Sequence, residues 1–87
     1  MATNPPSYDE VYQKLTSLIA EKIDIDKSSI HLDSNLKEIG LDSLDYFDLV
    51  FSAEDFYKIK VPNNTTEINT VSDVTTLVHE LAIEKKD

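Results

Sequence analysis

Gly40-Leu41-Asp42-Ser43-Leu44-Asp45-Tyr46-Phe47-Asp48-Leu49-Val50-Phe51-Ser52-Ala53-Glu54-Asp55-Phe56-Tyr57 is the stretch whose reading decides the fold. Gly40 is the only glycine in the chain, and glycine lets a backbone turn sharply without a Cβ penalty. Asp42 is a good N-cap and Asp45 stands at the third helical position, so a helix is predicted from just after Asp42 to about Tyr57. Val61-Pro62-Asn63-Asn64 closes that segment.

Upstream, Ser7-Tyr8-Asp9-Glu10 is a capping box, and Val11, Leu15, Leu18 and Ile19 follow at helical spacing, flanked by Tyr8 and Tyr12. A first helix is predicted from about Tyr8 to Lys22, with Glu10 placed four residues before Lys14 for an ion pair. Ile23 to Gly40 is long for a connection, but Ile23, Ile25, Ile30, Leu32, Leu36 and Ile39 can tie it to a core, and Asp33-Ser34-Asn35 supplies turn-forming side chains. The expectation is an ordered loop with a short helical turn. Downstream, Thr70-Val71-Ser72-Asp73 is a further capping box, and Val71, Val74, Leu77, Val78 and Leu81 form a stripe that predicts a last helix to about Glu84. Thr65 to Asn69 has room only for a helical turn, anchored by Ile68. The fold class is therefore all-α: a small four-helix bundle, three main helices plus one short helix, with a long first loop.

With 87 residues, the chain suits one domain, with an ordered core over about 7–85. It has 17 acidic residues against 8 basic ones and a net charge of -9, which argues against a basic nucleic-acid or anionic-membrane surface and for partners with positive docking surfaces. There is no cysteine, so no disulfide framework is expected and any thiol chemistry must come from an attached group. No basic leader followed by an apolar stretch, and no run long enough to span a membrane, is seen, so the expected location is cytoplasmic.

At Gly40-Leu41-Asp42-Ser43-Leu44-Asp45, with Asn35-Leu36-Lys37-Glu38-Ile39 before it and Leu49-Val50 after it, the chain resembles the acyl carrier protein family, and the likeness covers about residues 8–84. The resemblance implies a non-catalytic carrier that holds acyl intermediates as thioesters on a 4'-phosphopantetheine arm, in fatty acid, polyketide or related biosynthesis. It implies attachment at Ser43, with Asp42 and Leu44 completing the aspartate-serine-leucine motif and Asp42 helping a phosphopantetheinyl transferase engage near its magnesium ion. The position also makes physical sense, because a serine in the first helical turn lies among unpaired amides at the positive end of the helix dipole.

Asp45, Asp48, Glu54 and Asp55 give this helix a negative face, with no lysine from Glu38 to Tyr57, which suits encounters with acyl-transferring, condensing or ligase enzymes. By the resemblance, Leu44, Phe47 and Phe51 are the apolar partner contacts, although their helical spacing is equally a core signature for Phe47 and Phe51. The resemblance also implies an acyl pocket walled by Val50, Ile68 and Val71, for which core packing is the competing reading. The chain departs from the usual pattern at Tyr46 and Phe47, where a small hydroxyl residue and an aliphatic one are common. The two rings are expected to reshape the contact surface or the groove and to mark a specialised carrier.

Other readings are weaker. Asp24, Asp26 and Ser28 have the spacing of the first EF-hand ligands, but Ser29 replaces the loop glycine and Asn35 the bidentate glutamate, so no metal site is expected. A serine hydrolase lacks its glycine-flanked elbow. An amino-acid carrier serving a peptide synthetase remains an alternative cargo, and an unmodified acidic helical interaction module an alternative class. A monomer is the expected state.

Overall fold

The computed structural model describes residues 6–61 and 68–84. Its helices are α1 (Tyr8–Ile23), α2 (Ser43–Tyr57) and α3 (Val71–Glu84), with a short 3-10 turn at Lys27–Ser29, and there is no strand among the described residues. The expected short helix at residues 65–69 falls largely outside the described residues. Ile68, its described anchor, is half-buried and packs against the core.

Each long helix begins where local chemistry satisfies its first amides. Ser7 Oγ accepts from the Glu10 amide at 3.1 Å while Glu10 Oε1 accepts from the Ser7 amide at 3.0 Å. Thr70 Oγ1 accepts from the Asp73 amide at 3.2 Å, and Asp73 Oδ2 takes the amides of Asn69 and Thr70 at 2.9 and 3.1 Å. α1 and α2 end alike, on non-glycine residues in the left-handed region. Asp24 and Lys58 both have φ 57, and the following amides, of Ile25 and Ile59, return to Ala20 and Glu54 carbonyls.

The expected Glu10 to Lys14 ion pair does not form. Glu10 is engaged in its cap, and Lys14 Nζ instead lies 4.1 Å from the centroid of the Phe56 ring on α2. α1 is the central element and packs against both α2 and α3, most extensively against α3. Val11, Leu15 and Ile19 of α1 meet Leu49, Val50 and Ala53 of α2 and Val71, Val74 and Val78 of α3 in one buried core.

The long connection is ordered by backbone and side-chain hydrogen bonds rather than by regular structure. Tyr12 Oη donates to the Ile30 carbonyl at 2.9 Å, fixing the loop to α1. Leu36 donates to the Asn69 carbonyl at 2.9 Å, Val71 to Ser34 at 3.0 Å and Ser72 to Leu32 at 2.8 Å, which ties the loop to the entry of α3. Ser34 and Asn35 both act as turn formers, as their residue types predict: Ser34 Oγ accepts from the His31 amide, and Asn35 Oδ1 from those of Lys37 and Glu38. No helix among the described residues is long and apolar enough to cross a membrane.

The Asp73 cap gives a pH-dependent contribution to stability. Hydrogen bonds from Asn69 and Thr70 hold its carboxyl below the ordinary carboxylate value of 3.8. A depressed folded-state pKa stabilises the fold above the unfolded value and ceases to do so as pH falls through the folded value. Asp73→Asn is therefore expected to lower the urea midpoint at neutral pH, with the gap to the wild type closing below about pH 4. A gap that stays constant down through the acid range would remove the carboxylate from this role.

Candidate functional site

The backbone that delivers Ser43 is a positive-φ turn followed at once by a helix start. Gly40 has φ 107, its amide returns to the Lys37 carbonyl at 3.1 Å, and the Leu41 amide returns to Leu36 at 2.9 Å. This is the Schellman arrangement, with Leu36 and Leu41 both buried at its two ends. An added Cβ at Gly40 would meet nothing within 4 Å, so the glycine is required by backbone conformation and not by space. Gly40→Ala is expected to cost about 1–2 kcal/mol, the penalty for an L side chain at positive φ, readable as a lowered urea midpoint. A neutral result would show that the turn relaxes to negative φ.

Asp42 is the N-cap of α2, its Oδ1 accepting from the Asp45 amide at 2.9 Å, and Ser43 is the first helical residue. The amides of Ser43 and Leu44 find no acceptor among the described residues, and the Ser43 side chain is exposed. The arrangement presents a hydroxyl to solvent where unpaired amides and the helix dipole favour negative charge. An anionic phosphodiester on Ser43 Oγ fits that position without displacing the Asp42 cap.

Beside Ser43 lies a cleft of about 150 Å³ lined by Leu36, Lys37, Leu41, Asp42, Ser43, Tyr46, Phe47 and Ile68. Tyr46 and Phe47 stand with ring centroids 5.9 Å apart, tilted by 60°. Ile68 is one of the residues that line this cleft. Val50 and Val71 do not line this cleft: both are buried in the common core, because the Leu49–Val50 side of α2 and the first residue of α3 face inward. Lys37, Leu36 and Leu41 are the residues that sequence reasoning missed. Lys37 lies one residue outside the lysine-free stretch, and the Asn35-capped turn brings it to the wall it shares with Ser43.

The outer side of α2 settles the ambiguity of its stripe. Leu44 is 79% exposed, Phe47 55%, Phe51 65% and Phe56 57%, while Leu49, Val50 and Ala53 are buried. Core packing is therefore excluded for Phe47 and Phe51. The acidic face is less uniform than the sequence suggests. Asp48 is paired with Lys22 of α1 at 2.8 Å, and Glu54 Oε2 accepts from the Val61 amide at 2.7 Å, which gives Glu54 a structural task at the end of α2. Asp45 and Asp55 have no cationic partner within ion-pair distance among the described residues. Burial, reinforced by the charge of Glu10, raises the Tyr57 phenol above its ordinary value. His31 is exposed, and His79 lies edge-on to Tyr8 at 5.4 Å, away from the site.

The family model for the phosphopantetheine attachment site matches residues 13–78. Curated relatives agree with it. The chain is 39% identical over 67 residues to an acyl carrier protein of Treponema denticola, covering 75% of this chain and 86% of that protein. It is 39% identical over 74 residues to one of Rickettsia canadensis, covering 83% and 86%. It is 41% identical over 58 residues to one of Phytoplasma mali, covering 66% and 69%. With three long helices among the described residues, an exposed serine beside the Asp42 cap and these relatives in agreement, the chain belongs to the acyl carrier protein family, whose members are non-catalytic carriers of acyl groups on covalently bound 4'-phosphopantetheine.

Proposed function

We propose that Ser43 Oγ is the attachment point of the arm. The observation that carries this reading is the exposed hydroxyl at the first position of the Asp42-capped helix, beside the free amides of Ser43 and Leu44. In the modifying step a transferase joins Ser43 Oγ to phosphorus of coenzyme A. The diphosphate P–O bond breaks, adenosine 3',5'-bisphosphate leaves, and the hydroxyl proton passes to a base on the transferase. When bound, the arm supplies a thiol for thioester chemistry, which a chain without cysteine otherwise lacks. The chain's own contribution is placement: Asp42 fixes the start of α2, the amides and Lys37 offset the phosphodiester charge, and the tether raises the effective concentration of cargo at each enzyme.

The partner surface is the outer side of α2. Leu44, Phe47 and Phe51 offer apolar contact, flanked by Asp45, Asp48 and Asp55, so biosynthetic enzymes with basic docking surfaces suit it. Glu54 and Asp48 contribute less freely, since each already has an internal partner.

The test is incubation of the purified protein with coenzyme A, magnesium and a broad-specificity phosphopantetheinyl transferase, followed by intact-mass measurement and fragmentation. A gain of one phosphopantetheine mapped to Ser43 is expected. No gain, or the group on another hydroxyl, would refute the assignment.

A further inference from the structure

Lys22 Nζ lies 2.8 Å from Asp48 Oδ2, the only ion pair among the described residues of a chain in which acidic residues outnumber basic ones 17 to 8. The two partners are unequally placed: the Lys22 side chain is 19% exposed and that of Asp48 69%. Lys22 is also the basic residue in the last turn of α1, where the helix dipole favours a cation. A covered stem and a favourable helix end hold the ammonium in position, so pairing with Asp48 costs little further side-chain freedom. Asp48 is different, because it stands on the outer side of α2 among the exposed Leu44, Phe47 and Phe51. Asp45 and Asp55, nearer the two ends of this helix, have no cation within ion-pair distance among the described residues. Of these three carboxylates, the middle one is therefore the one already engaged from within the chain.

From this pairing we propose that Lys22 is a specificity-determining residue, an internal competitor that weakens the docking of any enzyme whose cationic group reaches Asp48. The inference rests on the outer side of α2 being the partner surface, as proposed above. A lysine or arginine of the partner must either displace the Lys22 ammonium or share the carboxylate with it, and sharing sets two like charges side by side. Lys22 cannot follow its carboxylate into the interface, because its stem belongs to α1. Asp45 and Asp55 carry no such competitor, so a partner that meets the ends of α2 is favoured over one that meets its middle. A weakened central contact also shortens each complex, which suits a carrier that must leave one enzyme for the next.

The experiment measures kcat and KM for loading of the full chain by a phosphopantetheinyl transferase with a basic docking surface. An ionic strength of about 0.3 M brings the screening length between about 3 and 10 Å, so that direct contacts dominate over net charge. The chains compared are the wild type, Lys22→Met, Asp48→Asn and the double variant, with Lys22→Gln as a second neutral replacement. Lys22→Met is expected to lower KM about two- to fivefold, the range of an exposed ion pair expressed as a binding ratio, with kcat unchanged. In the Asp48→Asn background that gain is expected to disappear. An equal gain in both backgrounds is an effect of net charge alone and overturns the inference, as does no gain with either Lys22 replacement. Asp45→Asn with Asp55→Asn reports on the surface itself and is expected to raise KM. If it does while Lys22 and Asp48 act independently, only the role of Lys22 is overturned. If it leaves KM as it was, the partner surface is misplaced and the inference falls with it.

Discussion

Ser43→Ala is expected to abolish attachment of the arm completely while leaving the fold as stable as before. The Ser43 side chain is exposed and its hydroxyl bonds to nothing among the described residues, so its removal leaves no buried group unpaired. The cap of α2 comes from Asp42, which is untouched. Alanine is a better helix former than serine by roughly 0.5 kcal/mol, so the small change expected in a urea titration is toward greater stability. Intact mass should stay at the unmodified value under conditions in which the wild type is fully converted. A variant that still gained the arm would show that another hydroxyl carries it, and one that unfolded would show that Ser43 has a structural task this geometry does not reveal.

Leu49→Ala should do the reverse, damaging the fold and touching no group at the attachment site. Leu49 is fully buried on the inner side of the helix that begins with Ser43, in the core shared with Val11, Leu15 and Ile19 of α1. Truncating a leucine in such a position costs about 2–5 kcal/mol, through lost transfer energy and the cavity left behind. Small domains have only about 5–15 kcal/mol in total. A fall in melting temperature of at least roughly 10 °C is therefore expected by far-ultraviolet circular dichroism. A loss below about 1 kcal/mol would mean that the helices close over the cavity, as a loosely packed bundle does.

The serine and its helix were legible in the sequence because helix capping is a local matter. Ser7 with Glu10, Asp42 with Asp45 and Thr70 with Asp73 are each three residues apart, and each forms the hydrogen bonds its spacing predicts. The positive-φ position at Gly40 was equally readable, since only one glycine was available to take it. By contrast, Asp24 and Lys58 gave no signal that they would end α1 and α2 in the left-handed region. Those ends are set by where the next isoleucine, Ile25 or Ile59, must turn back to pack against the core.

The two faces of α2 were not separable from periodicity. Apolar side chains occur on both sides of this helix, so a stripe drawn through Leu44, Phe47 and Phe51 is as good as one through Leu49, Val50 and Ala53. Which one is buried depends on α1, whose Val11, Leu15 and Ile19 come from residues far away along the chain. Val50 and Val71, read as pocket candidates, enter the core for the same reason.

By itself, then, the sequence determined the helices, their starting points and the candidate serine, because caps, turns and helical periodicity depend on residues within a turn of one another. Only the tertiary structure decided how the surface around that serine is divided. Lys22 reaches across 26 positions to neutralise Asp48, Glu54 turns to the Val61 amide, Lys14 moves from Glu10 to the Phe56 ring, and Lys37 and Ile68 meet Tyr46 around one cleft. Burial and charge pairing depend on which distant groups come together in space, and separation along a single chain carries no measure of that distance.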